Sequence, residues 1–211
     1  MKLAPSILAA DFGHFARDAK RLEVAGADYL HIDIMDGHFV PNLTFGPHIL
    51  KALRPLTDLP FDTHLMLSHP MKFIEAFAAA GSNWITVHIE ADDDPADMIS
   101  LIKKCGCKAG LSLRPQTKIS RLIPFLPMID LVLVMSVDPG FGGQPFQKEA
   151  IARIAELKDL IGKKPVQISV DGGITDITAP ACRLAGADIL VAGSYVFKTR
   201  NYHTAIERLK K

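Results

Sequence analysis

Cysteine is scarce in this chain: Cys105, Cys107 and Cys182 are the only three among 211 residues. The number is odd, and Cys105 and Cys107 are separated by one residue rather than the two common in zinc or redox pairs, so neither a disulfide framework nor a thiolate metal site is expected. The three read as reduced structural thiols. An excess of one charge is missing too. Lys and Arg number 24 against 23 Asp and Glu, a formal net charge of +1. No basic cluster exceeds what a helix surface carries, which argues against nucleic acid and membrane surfaces as partners. No apolar run approaches a membrane span, and "MKLAPSIL" lacks the basic stretch and long apolar core of a leader, so a cytoplasmic location is expected.

Apolar bulk is what the chain has, with 48% hydrophobic and 22% charged residues. That suits a single domain over residues 1–211 with one large core. Three segments nearly copy one another: "AGADYLHI" from Ala25, "AGSNWITV" from Ala80 and "AGADILVA" from Ala185. Each has a helix-stopping glycine followed by an apolar strand. Their separations are about two and about four times a unit of roughly 26 residues, the size of a strand plus a helix.

Further strands are expected at "KLAPSIL", "PFDTHLML", "CKAGLSL", "IDLVLVMS" and "VQISVD", with amphipathic helices such as "FARDAKRLEVAGA", "MKFIEAFAAAG" and "EAIARIAELKDLIG" between them. Alternating strands and helices imply a parallel sheet in an α/β fold, and eight units of this size point to a (β/α)8 TIM barrel. An open doubly wound sheet is the alternative.

"LHIDIMDGHFVPN", residues 30–42, carries the chemistry. A strand sends alternate residues to opposite faces, so Leu30, Ile32 and Ile34 share one face and His31, Asp33 and Met35 the other. In a barrel the first set meets helices and the second points toward the axis, at the C-terminal mouth where such enzymes work. "FDTHLML" sends His64 and Met66 inward, "QISVDGG" ends on Asp171, and the sixth strand adds Met135. A lone His31 or His64 would read as a hydrogen-bonded core residue. Ionised Asp33 and Asp171 are rarely buried without a partner, and two imidazoles with two carboxylates form an N2O2 site for one divalent metal ion: zinc, iron(II), manganese or cobalt.

Met35, Met66 and Met135 would form a polarisable, aprotic ceiling over the reacting centre. His88, at the end of the fourth strand, has no inward partner in its own segment; capping or packing would account for it, and it is assigned no role. The acidic stretch "EADDDPAD" reads as a solvated helix start, with Asp94 as N-cap before Pro95.

Glycine-bearing loops follow the last three strands. Gly140, Gly142 and Gly143 in "DPGFGGQPF", Gly172 and Gly173 after Asp171, and Gly193 with Ser194 in "AGSYVF" let backbone N–H groups approach an anion. The last strands of a barrel are where phosphate sites recur.

"APSIL", "HIDIMDGHFVPNLTFGP", "THLML", "MSVDPGFGGQPF", "VDGGI" and "VAGSYVF" occur in the order of the motifs of the ribulose-phosphate 3-epimerase family, which this sequence resembles over essentially its whole length. The resemblance implies a phosphate-binding barrel of the ribulose-phosphate-binding type that interconverts D-ribulose 5-phosphate and D-xylulose 5-phosphate in pentose phosphate metabolism. It implies metal ligation by His31, Asp33, His64 and Asp171, with Asp33 and Asp171 as the acid/base pair. Substrate would be held by Ser6, His64, Asp171, Gly140, Phe141, Gly142, Gly143, Gly172, Gly173, Gly193 and Ser194, and the chain would form a homo-oligomer, a dimer or hexamer.

Two residues depart from the family pattern: Asp138 precedes Pro-Gly-Phe where Asn or Glu is usual, and Arg114 precedes Pro115 where Asn is usual. They keep D-allulose-6-phosphate 3-epimerase as an alternative, since that related group carries Asp in the equivalent loop. A metal-dependent hydrolase and a non-catalytic phosphosugar-binding barrel are alternatives of another class. Orotidine-phosphate decarboxylase and hexulose-phosphate synthase barrels rely on an Asp/Lys set that the His-x-Asp-x-Met strand replaces here.

Inverting C3 asks for a base on each face of the substrate, which two carboxylates on separate strands can supply.

Overall fold

The computed structural model describes residues Met1–Lys211. In chain order its strands and helices are β1 (Lys2–Pro5), α1 (Phe15–Val24), β2 (Leu30–Met35), α2 (Pro47–Leu53), β3 (Phe61–Met66), α3 (Ile74–Ala79), β4 (Ser82–His88), α4 (Pro95–Lys104), β5 (Lys108–Leu113), β6 (Leu131–Met135), α5 (Glu149–Ile161), β7 (Gln167–Asp171), α6 (Ala179–Ala185), β8 (Ile189–Ala192), α7 (Ser194–Phe197) and α8 (Tyr202–Lys210). All eight strands are parallel in one sheet ordered β1-β8-β7-β6-β5-β4-β3-β2. The seam between β1 and β2 is drawn together by a Ser6–His31 bridge and by the Asp28 and Tyr29 N–H groups, which donate to Leu3 O at 2.9 and 3.2 Å. This is a nearly closed (β/α)8 barrel, and the open doubly wound sheet is excluded.

The two faces of each strand bury different things. Leu30, Ile32 and Ile34 of β2 pack with Leu22 of α1, Leu50 of α2 and the other helix-facing residues in the large outer core. Ala4, Tyr29, Trp84, Leu131, Leu133, Ile189 and Val191 fill the barrel axis, with the Tyr29 and Trp84 rings edge-to-face at 6.1 Å. Above that apolar plug lies a polar layer in which His31, Asp33, Asp62, His64, Thr86 and His88 are all buried. The fold therefore seals one end and concentrates its ionisable groups at the other.

Two local features depart from a regular alternation. Between β5 and β6 the crossover is a 3-10 turn, Ile119–Phe125, because Pro124 removes an N–H and crowds the preceding turn of an α-helix. Between β3 and β4 the register slips after Phe61: Phe61 pairs with Ser82, but Asp62 pairs with Trp84. Asn83 is left over, and its Oδ1 accepts the Phe61 N–H at 2.8 Å. The slip turns Trp84, Thr86 and His88 inward while Ile85 and Val87 join the outer core. At α4, Asp94 accepts from the N–H groups of Ala96 and Asp97 at 2.8 and 3.2 Å, as an Asp-Pro helix start predicts.

Candidate active site

Strand register assembles the polar layer. Along β2 and β3, His31 lies opposite Asp62, Asp33 opposite His64 and Met35 opposite Met66, while Asp171 ends β7 opposite Met135. One ligand atom from each of His31, Asp33, His64 and Asp171 lies within 4.8 Å of every other. Both imidazoles are fully buried, and the Asp171 side chain is 17% exposed at the cavity floor.

The donor set fits a cation. His31 Nδ1 meets Asp62 Oδ2 at 2.8 Å. Its Nε2 lies 3.3 Å from Asp33 Oδ1 and 4.0 Å from Asp171 Oδ2, yet makes no hydrogen bond of sound geometry. A buried polar nitrogen without a partner costs about 1–3 kcal/mol, and Nε2, set between two carboxylates, stands where a metal ligand would. His64 Nδ1 lies 3.1 Å from Asp33 Oδ1, and the Ser6 hydroxyl donates to Asp33 Oδ2 at 2.5 Å.

These charges shift one another. Burial opposes ionisation of Asp33, but His31 and His64 outweigh it and hold the carboxyl well below its usual range. Burial and the Asp33 charge push Asp171 up to about 6. Burial disfavours the charged form of His31, yet Asp33 and Asp62 together raise it well above the ordinary imidazole value. Two acids and two imidazoles without thiolate suit zinc, iron(II), manganese or cobalt, so the donor set leaves the metal's identity open.

His88 is more than a packing residue. Its Nε2 lies 2.8 Å from His64 Nε2, its Nδ1 lies 3.2 Å from Glu90 Oε2, and the two rings meet end to end with planes 27° apart and centroids 5.0 Å apart. Burial lowers His88 to about 4, so it is neutral near pH 7. Burial of Glu90 favours its neutral form, but bonds from His88, Thr117 and the Arg114 N–H bring it down to about 2. Asp62 was likewise invisible as a site residue; the only signal was a carboxylate one inward step before His64 in "FDTHLML".

Above the ion-pair cluster opens a cavity of ≈ 620 Å³, lined by Ser6, Asp33, Asp171 and the three methionines among others. Met35 and Met66 touch in a small cluster with Val40, and Met135 continues the apolar axis. The far wall is made by the glycine loops after β6, β7 and β8. The backbone N–H groups of Gly142, Gly143, Gly173 and Gly193 donate to no backbone acceptor. Gly143 has φ +78°, and a Cβ there would sit 3.5 Å from Ser194 Oγ, so the β6 and β8 loops face each other. Gly173 packs so tightly on the β6 loop that a Cβ would fall 2.5 Å from Phe146 N. Phe141 stands 55% exposed at the loop tip. His64 is fully buried beneath the cavity rather than on its wall.

A family model described as the ribulose-phosphate 3 epimerase family matches residues 2–197. The chain belongs to that family. A curated ribulose-phosphate 3-epimerase from Chlamydia pneumoniae is 50% identical over 200 residues, covering 93% of this chain and 87% of that protein. One from Bacillus subtilis is 47% identical and covers 100% and 98%; a chloroplastic ribulose-5-phosphate-3-epimerase from Arabidopsis thaliana is 44% identical and covers 99% and 75%. Among solved structures, a 3-hexulose-6-phosphate synthase matches with TM-score 0.68 at 19% identity over 100% of this chain and 98% of its own. An orotidine 5'-phosphate decarboxylase from Pyrococcus horikoshii matches with TM-score 0.70 at 14% identity, covering 98% and 96%. At such identities the likeness is one of fold alone.

Within the family frame, both departing residues hold loops. The Arg114 guanidinium lies 4.3 Å over the Phe39 ring and donates to Phe39 O at 2.7 Å. Asp138 Oδ1 accepts from Gln116 Nε2 at 2.9 Å.

Proposed function

We propose that this chain is a metal-dependent epimerase that inverts C3 of a ketose phosphate, interconverting D-ribulose 5-phosphate and D-xylulose 5-phosphate. The observation that carries this reading is the set of four ligand atoms within 4.8 Å, with an unpartnered His31 Nε2, beneath a cavity walled by glycine loops. Relatives 42–50% identical that are named ribulose-phosphate 3-epimerase favour the five-carbon sugar over D-allulose 6-phosphate. Two buried acids and a methionine ceiling have little use in a non-catalytic sugar-binding barrel, and a hydrolase needs water where the methionines stand.

His31 through Nε2, His64 through Nδ1, Asp33 and Asp171 would hold the divalent ion. Bound there, the ion would supply Lewis acidity that lowers the cost of negative charge developing when the proton next to the carbonyl is removed. Asp33 on β2 and Asp171 on β7 approach the substrate from different parts of the rim, so one removes the C3 proton and the other returns one to the opposite face. Ser6 holds the Asp33 carboxylate through Oδ2. Met35, Met66 and Met135 offer no acidic hydrogen that could quench the enediolate on the wrong face and keep water from the charged centre. Gly142, Gly143, Gly173, Gly193 and Ser194 grip the phosphate by backbone N–H groups and one hydroxyl.

We also read the protein as a cytoplasmic homo-oligomer. Free Cys105, Cys107 and Cys182 suit a reducing compartment, and exposed Phe12 and Leu43 offer apolar surface to a second copy.

The test is a side-by-side kcat/KM comparison of five- and six-carbon ketose phosphates, with metal content measured. Turnover should favour D-ribulose 5-phosphate with about one equivalent of metal per chain, lost together with activity in His64→Ala. Full activity in metal-free protein, or preference for the six-carbon sugar, refutes it.

A further inference from the structure

The two imidazoles of the proposed metal centre each leave one nitrogen to the protein, and the protein holds them differently. His31 Nδ1 meets a carboxylate directly, Asp62 Oδ2 at 2.8 Å. His64 Nε2 meets another imidazole, His88 Nε2 at 2.8 Å, and only His88 reaches a carboxylate, Glu90 Oε2 at 3.2 Å from its Nδ1. Glu90 is itself fixed, since Oε1 accepts the Arg114 N–H at 2.9 Å and the Thr117 hydroxyl. The Phe39 ring, 4.8 Å from His88, closes the other side.

Two ring nitrogens in hydrogen-bond contact share one proton, so one imidazole donates and the other accepts. Glu90 decides which. An ionised carboxylate only accepts, so His88 presents Nδ1–H to it and keeps its lone pair on Nε2. A cation held by His64 Nδ1 and Asp33 Oδ1, which lie 3.1 Å apart, would take the Nδ1 lone pair and offset the Asp33 charge, and His64 would then donate Nε2–H to His88. The reverse order would set the His88 Nδ1 lone pair against the Glu90 charge and put a proton on His64 Nδ1, where a metal needs a lone pair.

We propose that His88 and Glu90 are positioning residues that set the tautomer and ring orientation of His64 for metal ligation. The proposal rests on the metal-centre reading above. It extends the centre to residues that touch neither ion nor substrate, in the way that carboxylate-backed imidazoles are ordinarily tuned.

Glu90→Gln is a sharp probe because it keeps the shape and reverses the donor order. The Arg114 N–H and Thr117 hydroxyl hold the amide oxygen at the Oε1 place, so the NH2 group takes the Oε2 place and donates to His88 Nδ1. His88 then donates from Nε2, and His64 carries its proton on Nδ1. Glu90→Ala removes the carboxylate without imposing that order. Zinc affinity, read by chelator competition, should fall roughly 10- to 100-fold in Glu90→Gln and by less in Glu90→Ala. Nitrogen-15 NMR of the zinc-loaded wild type should show His88 protonated on Nδ1 and bare on Nε2.

Wild-type zinc affinity in Glu90→Gln, or a proton on His88 Nε2 in the wild type, overturns the proposal; the NMR result decides if Glu90→Gln does not fold. His64→Ala separates the two readings. If it binds zinc as the wild type does, the metal centre itself is wrong and the positioning role falls with it. If it loses zinc while Glu90→Gln does not, only the positioning role is wrong.

Discussion

Replacing Gly143 with valine tests whether the glycine loops hold the phosphate. Gly143 is an exposed loop residue with φ +78°, and its Cβ would sit 3.5 Å from Ser194 Oγ. The Cβ alone fits, but the two Cγ methyls of valine reach about 1.5 Å further into the space between the β6 and β8 loops. Holding a β-branched residue at that φ costs about 1–2 kcal/mol, which the exposed loop relieves by shifting rather than by unfolding the barrel. The shift withdraws the Gly142 and Gly143 N–H groups from the anion. A hydrogen bond to a charged group is worth about 1.5–3 kcal/mol, so one lost contact raises KM by roughly 10- to 150-fold at a tenfold change per 1.4 kcal/mol. Steady-state kinetics with D-ribulose 5-phosphate should show that rise with a much smaller change in kcat, because the phosphate is remote from C3. The inhibition constant of inorganic phosphate should rise in parallel. Arg114→Ala is the contrast, and its KM should stay near wild type because the guanidinium is spent on Phe39. An unchanged inhibition constant for phosphate in Gly143→Val, or an equal KM shift in Arg114→Ala, would refute the backbone grip.

In heavy water the wild-type enzyme should deposit deuterium at C3 of its product, and Asp171→Asn should block epimerisation in both directions once its metal content has been checked; transfer of the original C3 hydrogen intact would exclude the two-base route. Asp62→Leu removes the carboxylate that orients His31 and should weaken metal binding by roughly 10- to 100-fold, read by chelator competition; unaltered affinity would show that His31 needs no such support. Phe77, 1% exposed in the outer core, should cost about 3–5 kcal/mol as Phe77→Ala in denaturant unfolding, while the phosphate KM of the folded fraction stays put. A loss below about 1 kcal/mol would mean that α3 contributes little to the barrel wall.

The period of two along "LHIDIM" and "FDTHLM" was enough to place His31, Asp33, His64 and Met66 on inward faces, because alternation follows from backbone geometry alone. Likewise the glycine-bearing loops could be assigned to the last three strands from their order, and the repeated "AG" segments to helix ends, since both are local properties of the chain. Barrel closure and the contacts across strands were decided elsewhere. Whether Asp62 would back His31 depended on β2 and β3 aligning with His31 opposite Asp62, and register is set by packing on both faces rather than by either strand's own pattern. His88 shows the limit most clearly. It faces the axis through the slip that leaves Asn83 unpaired between β3 and β4, and it meets Glu90 because the β4 loop is pinned to Arg114 and Thr117 of the next unit. The alternation of Ile85, Val87 and Ile89 with Thr86 and His88 is a local pattern, but the bulge that sets β4 against β3 is repaid by contacts distant in sequence, so nothing near His88 announces that its partner will be His64.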